Sequence, residues 1–162
     1  MTPARVLDAL AAYLKEACSA YFLTDEKVKD NPLIVSPGFL KKRTAAGEMP
    51  YPHIVPRFLK CVDEPDGSKV TVRIYFGTYS EDVETGWRDL INFMEMGRLA
   101  LLRQRTIAKK YRLQLPLTSE ATEDQPYPEW VGYITAEYLM PLPEEGEIVV
   151  NALGGTGSDK KV

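Results

Sequence analysis

The sequence predicts an α+β fold: a mainly antiparallel four-stranded sheet, made of a β-hairpin plus two C-terminal strands, packed by an N-terminal helix and one long central helix. Three observations carry this. Apolar residues recur at helical spacing in two separate stretches. Two segments of alternating character flank a run of turn formers. Two further strand-like runs follow the second helix, so helices and strands are not regularly interleaved and a parallel sheet is disfavoured.

The elements follow in order. Thr2 and Pro3 suit a helix start, a hydroxyl cap before a residue whose fixed φ fits the first helical position. Val6, Leu7, Leu10, Leu14, Ala17, Cys18 and Tyr21 then form one apolar stripe, predicting a helix from about Pro3 to Ala20. From Thr24 to Pro52 the pattern dissolves into charge, proline and glycine, with at most a short strand at Leu33 to Ser36. An irregular stretch of that length predicts a loop that orders against a partner. His53–Val62 and Lys69–Tyr79 enclose Asp63-Glu64-Pro65-Asp66-Gly67-Ser68, the hairpin. In its second strand Val70, Val72, Ile74 and Phe76 alternate with Thr71, Arg73, Tyr75 and Gly77, so one face is apolar and the other mixed. The long helix is expected from about Val83 to Thr106, with Trp87, Leu90, Ile91, Met94, Leu101 and Leu102 as its buried stripe and Gly97 permitting close approach to the sheet. Tyr111–Leu117 and Trp130–Leu142 supply the last strands. One domain therefore spans residues 1–150, and NALGGTGSDKKV, residues 151–162, is expected to be a flexible tail.

Composition narrows the function classes. The chain has 162 residues, 44% of them hydrophobic and 27% charged, enough to bury a core. Its net charge of −3 offers no bulk attraction to phosphate, so nucleic-acid contact would need a local basic patch. Cys18 and Cys61 stand far apart in apolar surroundings and read as reduced thiols. MTPARVLDALAAYL lacks the order of a secretory leader, and no apolar run approaches the roughly 20 residues of a membrane span, so folding in cytoplasm and no membrane partner are expected.

Candidate chemistry is sparse. His53 is the sole histidine and no Cys-x-x-Cys pair occurs, so no metal, cofactor or catalytic residue is assigned. GGTGSD lacks the strand before it and the helix after it that a phosphate loop requires. Acids cluster at Glu81, Asp82 and Glu84, and again at Glu120, Glu123, Asp124 and Glu129. Ser80 to Glu84 fit capping and dipole matching at a helix start. A small enzyme or ligand-binding domain would draw on Tyr79, Ser80, Glu81 and Asp82 with His53 nearby. Arg98, Arg103, Arg105, Lys109, Lys110 and Arg112 place six cations within 15 residues of an acidic chain. A helix dipole accounts for some of them, but the run continues into the next strand, which predicts a docking surface. Tyr51, Tyr79, Tyr127 and Trp130 are further interface candidates, three of them in proline-bearing loops, because aromatic side chains give contact area at low entropic cost.

IYFGTYSEDVETGWRDLINFMEMGR, then LQLPL, an acidic spacer and QPYPEWVGYITAEYLMP, resembles small tail-assembly proteins of tailed phages and prophages, most closely the tail terminator, or tail completion, class at the head-tail junction. The similarity covers roughly His53 to Pro143. The resemblance implies a non-catalytic virion subunit, assembled in the bacterial cytoplasm, that forms a ring with itself, typically a hexamer. Such a ring caps the tail tube, ends tube polymerisation and joins the tail to the head connector. It implies the tube protein and the connector as partners, with DNA passing nearby in the lumen without specific contact. A head-completion or connector protein is the alternative within the same assembly.

Overall fold

A computed structural model describes residues 2–41 and 48–146. The order is α1 (Pro3–Cys18), β1 (Ile34–Val35), β2 (His53–Glu64), β3 (Gly67–Tyr79), α2 (Gly86–Arg103), β4 (Thr106–Ile107), β5 (Tyr111–Ala121) and β6 (Glu129–Met140). The strands form one six-stranded sheet in the order β1-β2-β3-β6-β5-β4. The α+β class is as expected, but the sheet has six strands where four were expected.

Both added strands are two residues long and sit at the edges. β1 runs parallel to β2, with Ile34 opposite His53 and Val35 opposite Ile54. The loop is drawn to the sheet by backbone bonds, Ile34 N–H to Pro52 O at 3.0 Å and Ser36 N–H to Ile54 O at 3.1 Å. β4 starts at Thr106, the residue at which the long helix was expected to end. That helix stops at Arg103, because Gln104 leaves the helical region at φ −126° and ψ 88°. Thr106 and Ile107, both β-branched, then pair with Arg112 and Tyr111, and Ile107 is buried.

The four long strands are antiparallel throughout. Val70, Val72, Ile74 and Phe76 are buried as their alternation predicts, facing both helices. Gly97 also does what its position suggests: a Cβ there would lie 2.6 Å from Phe76 Cζ, so only glycine lets α2 close onto the ring. Phe76 in turn meets Phe93 edge-on at 5.3 Å, and Phe93 stacks on Tyr21 at 4.6 Å. The two helices are tied where Tyr13 Oη donates to Ala100 O at 2.6 Å.

The buried stripe of α2 keeps Leu90, Met94 and Leu101 of the expected one but not Trp87 or Ile91. It runs through Gly86, Leu90, Phe93, Met94, Gly97, Ala100 and Leu101. Trp87 and Ile91 lie one position round the helix and are 41% and 49% exposed. Trp87 therefore does not lock the helix to the sheet: its indole N–H bonds Glu84 O at 2.8 Å, and Arg88 lies over its ring at 4.6 Å.

The described parts of the 24–52 loop order against their own chain. Leu23, Val28, Tyr51 and Tyr79 form a second small core. Asn31 Nδ2 donates to Met49 O at 3.0 Å, closing the loop on itself. The expected flexible tail, residues 151–162, lies outside the described residues. No described helix is long and apolar enough to cross a membrane.

Candidate functional site

The elbow between β3 and α2 is the first place where polar residues converge. Asp82 caps its turn: the carboxylate accepts from Glu84 N at 3.0 Å, Thr85 N at 3.1 Å and Thr85 Oγ1 at 2.6 Å. The Thr85 hydroxyl bond, followed by the two backbone bonds, holds the Asp82 pKa below its ordinary value. The expected capping by Ser80 to Glu84 is thus carried chiefly by Asp82, while Ser80 Oγ accepts from Asp82 N at 3.2 Å. Thr85 occupies the N-cap position itself without a side-chain cap bond.

Glu81 is the hub of the elbow. Its carboxylate pairs with Lys27 and accepts from Tyr79 Oη at 2.8 Å, and its backbone N–H reaches Asp25 Oδ2 at 3.0 Å. Tyr127 Oη donates to Glu81 O at 2.7 Å, and the Trp130 indole donates to Ser80 O at 3.0 Å. Every acid of the elbow that the sequence singled out as possible chemistry, apart from exposed Glu84, is therefore engaged in joining β3, α2, the 24–52 loop and the loop before β6.

This corrects the aromatic interface residues. Tyr51, Tyr79 and Trp130 are buried, at 6%, 6% and 8% exposure, and only Tyr127 remains open at 49%. Tyr51 lies between His53 and Tyr79, with ring centroids 5.0 and 6.1 Å away. Tyr51 and Tyr79 are buried with Leu23 and Val28, whereas Trp130 belongs to the main core.

His53 belongs to the same joint. Its ring lies where a Cβ on Gly77 would be 2.2 Å away, and Nδ1 is 2.8 Å from Pro50 O. Burial lowers its pKa from the ordinary 6.5, more than the Pro50 carbonyl raises it. Below about 6.5 the unfolded chain takes up a proton that the folded chain refuses, so stability falls as the pH drops through that window. Urea unfolding midpoints measured from pH 7.5 to 5 are expected to decline, and the part of the decline due to this ring to vanish in His53→Gln.

The cations gather at the opposite end of α2, with one exception. Arg98 sits mid-helix and is taken by Glu95 at 2.8 Å, so it does not join the others. Arg103, Arg105, Lys109, Lys110 and Arg112 are all exposed, and none makes an ion pair among the described residues. Arg105 Nε donates to Leu102 O at 3.4 Å and Arg112 Nη1 to Thr106 Oγ1 at 3.3 Å, leaving their charge outward. The hairpin that presents Lys109 and Lys110 is strained. Ala108 and Lys109 have φ of 50° and 57°, and Lys110 N bonds Ile107 O at 3.1 Å, the geometry of a type I′ turn. Such positions cost an ordinary residue roughly 1–2 kcal/mol each. Ala108→Asn with Lys109→Gly is expected to stabilise the chain by about 1 kcal/mol, a rise in Tm of roughly 2–4 °C by calorimetry.

A second cationic surface escaped the sequence reading. On the sheet face away from the helices, Arg57 lies over Phe39 at 4.6 Å and over Tyr75 at 5.0 Å, while Arg73 lies over Tyr133 at 4.4 Å. Tyr75 and Tyr133 are neighbours at 5.7 Å, being opposite one another on β3 and β6. The signal was the mixed face of β3, Thr71-Arg73-Tyr75, whose partners on β2 and β6 depend on register and are not visible in one strand alone.

Between α2 and the far edge of β5 runs a groove of about 430 Å³, lined by Ile91, Met94, Arg98, Leu117, Ser119 and Ala121 among others. No group of three His, Cys, Asp or Glu side chains is placed to hold a metal ion among the described residues. Comparison of the sequence with protein-family models gives no match, and comparison with curated proteins gives no significant one.

Proposed function

We propose that this chain is a structural subunit of a tailed-phage neck, a tail terminator that assembles into a ring on the end of the tail tube, stops tube growth and joins the tail to the head connector. The observation that carries the reading is the exposed group Arg103, Arg105, Lys109, Lys110 and Arg112, which makes no ion pair among the described residues and has Lys109 and Lys110 on a strained hairpin, in a chain of net charge −3. A strained turn is kept where the surrounding structure imposes it, and such turns concentrate at working surfaces. Cations concentrated on one end of an acidic protein suit docking on an acidic protein partner better than they suit general phosphate attraction.

The resemblance from His53 to Pro143 supplies the assembly, and the fold is compatible with it. The helices cover one sheet face only, so among the described residues the other face, with Arg57 and Arg73, and the parts of both edges beyond β1 and β4 are open to neighbours. In this reading the virion is the working location, with the chain itself, the tube protein and the connector as partners. A head-completion or connector subunit would use the same surfaces at a different level of the neck.

Mass measurement of the purified chain across a concentration series tests the assembly. A closed species at one discrete multiple of 18.2 kDa is expected. A chain that stays monomeric at every concentration, with or without added tail tube, would overturn the ring.

A further inference from the structure

At each end of the four long strands lies one whose outer side is only partly occupied by the short edge strand beside it. On β5, β4 reaches no further than Arg112, after which Leu113 N donates to Arg105 O at 2.6 Å. Beyond that point no described strand pairs with the outer side of β5. Thr122 N donates inward to Val131 O at 3.4 Å, so the alternation of an antiparallel ladder turns the backbone groups of Ala121 and Ser119 outward. These open into the groove whose other wall is α2, where Ile91 stands 49% exposed.

On β2, at the other end, the last bond from the β1 side is Gly38 N to Pro56 O at 2.7 Å. After it no described strand pairs with the outer side of β2, and Phe58, Leu59 and Val62 are 47%, 43% and 42% exposed. Free strand edges in water are a liability that proteins usually blunt with charge, proline or a bulge. Some blunting is present, at the Phe58/Lys60 shift on β2 and near Pro116 on β5. Exposed Phe58, Leu59 and Ile91 beside the edges do the opposite, since they reward coverage.

We infer that the outer edge of β5, with its α2 groove, receives the β2 edge of a second copy of this chain, so that neighbouring copies share one continuous antiparallel sheet. This rests on the ring assembly proposed above and names its contact. Three further observations favour a second copy as the occupant. β2 and β5 run in opposite senses through the antiparallel ladder, so a head-to-tail join continues the same pairing rule. The two edges carry opposite charge, with Arg57 and Lys60 on β2 against Glu120 on β5 and Glu123 and Asp124 just after it, whereas Glu64 of β2 is already held by Lys69 at 2.8 Å. The two edges are different surfaces of one chain, the condition for a heterologous contact that closes into a ring.

The free thiol of Cys61 lies on the β2 edge and is half-buried, while Cys18 is fully buried and its pKa is pushed up to about 11. Cys61 is therefore a native probe. Treating the full-length Ser119→Cys chain with a short bis-maleimide is expected to give a ladder of covalent oligomers beyond the dimer, joined through positions 61 and 119 in peptide mass spectra. Adding Cys61→Ser should remove the ladder. Ring-sized species that form without a 61–119 link, or dimers linked only through 119 and 119, would overturn the shared sheet while leaving the ring in place. A chain that stays monomeric and gives no cross-link would overturn both.

Discussion

Phe76→Ala is expected to lower the unfolding free energy by about 3–5 kcal/mol, the range for removing a buried aromatic ring. The ring is fully buried on the apolar face of β3, meets Phe93 edge-on and fills the space left by Gly97. Truncation removes contacts from the sheet and from α2 together. The gap cannot close cheaply, because Gly97 has no side chain to advance into it and α2 is fixed at its far end by the Tyr13 bond to Ala100. Urea unfolding followed by tryptophan fluorescence measures the loss, since Trp130 lies in the same core. Phe76→Leu, which keeps most of the volume, should lose less than half as much, in line with the tolerance of cores for hydrophobic swaps of similar size.

The second large effect is expected in assembly with folding left intact. Arg103→Glu with Arg105→Glu reverses two exposed side chains that make no ion pair among the described residues, so thermal stability should shift by no more than about 0.5 kcal/mol. If the proposed docking surface is used, reversal replaces attraction by repulsion at the contact, and the yield of joined, infectious particles should fall by roughly tenfold or more. Particle yield in complementation, read beside a melting curve of the purified variant, separates the two effects. Unchanged yield would remove the cationic end from the docking surface.

Much of the fold was legible because the long elements carry their own periodicity. The alternation from Val70 to Phe76 gives a strand buried on one side, and the Val6 to Cys18 stripe gives a helix packed on one face; both appear in place. Two-residue strands carry little such pattern: the sequence offers at most a short strand at Leu33 to Ser36 and none at Thr106 and Ile107. Ile34 and Val35 become β1 only because Pro52 and Ile54 offer their carbonyls, and Thr106 and Ile107 become β4 only after α2 ends early. The error on α2 is more instructive. Trp87 and Ile91 are as apolar as Leu90 and Phe93, and adjacent positions differ by 100° around a helix, so a sequence with large apolar residues at both cannot say which face meets the sheet. Of the two left outside, Ile91 lines the β5 edge groove, so its exposure is itself a pointer to a surface awaiting cover.

The candidate site divides in the same way. Exposed cations were visible from their density in the sequence, since long charged side chains are seldom buried. Tyr51, Tyr79 and Trp130 were not, because flanking prolines and polar neighbours suggested open loops, whereas Leu23 and Val28 arrive from a distant segment to cover Tyr51 and Tyr79. Arg57 and Arg73 depended on strand register, which no single strand states. Glu81, one of several acids in the sequence, becomes the hub of the elbow only when Lys27 and Tyr127 reach it from either side.

Electron microscopy of particles made by a tailed phage that carries this chain, compared with those made after the chain is deleted, tests the central claim most directly. Deletion should leave filled heads without tails beside headless tubes of uncontrolled length, and supplying the chain in trans should restore joined particles with tails of one length. Joined particles with normal tails in the absence of the chain would contradict the account.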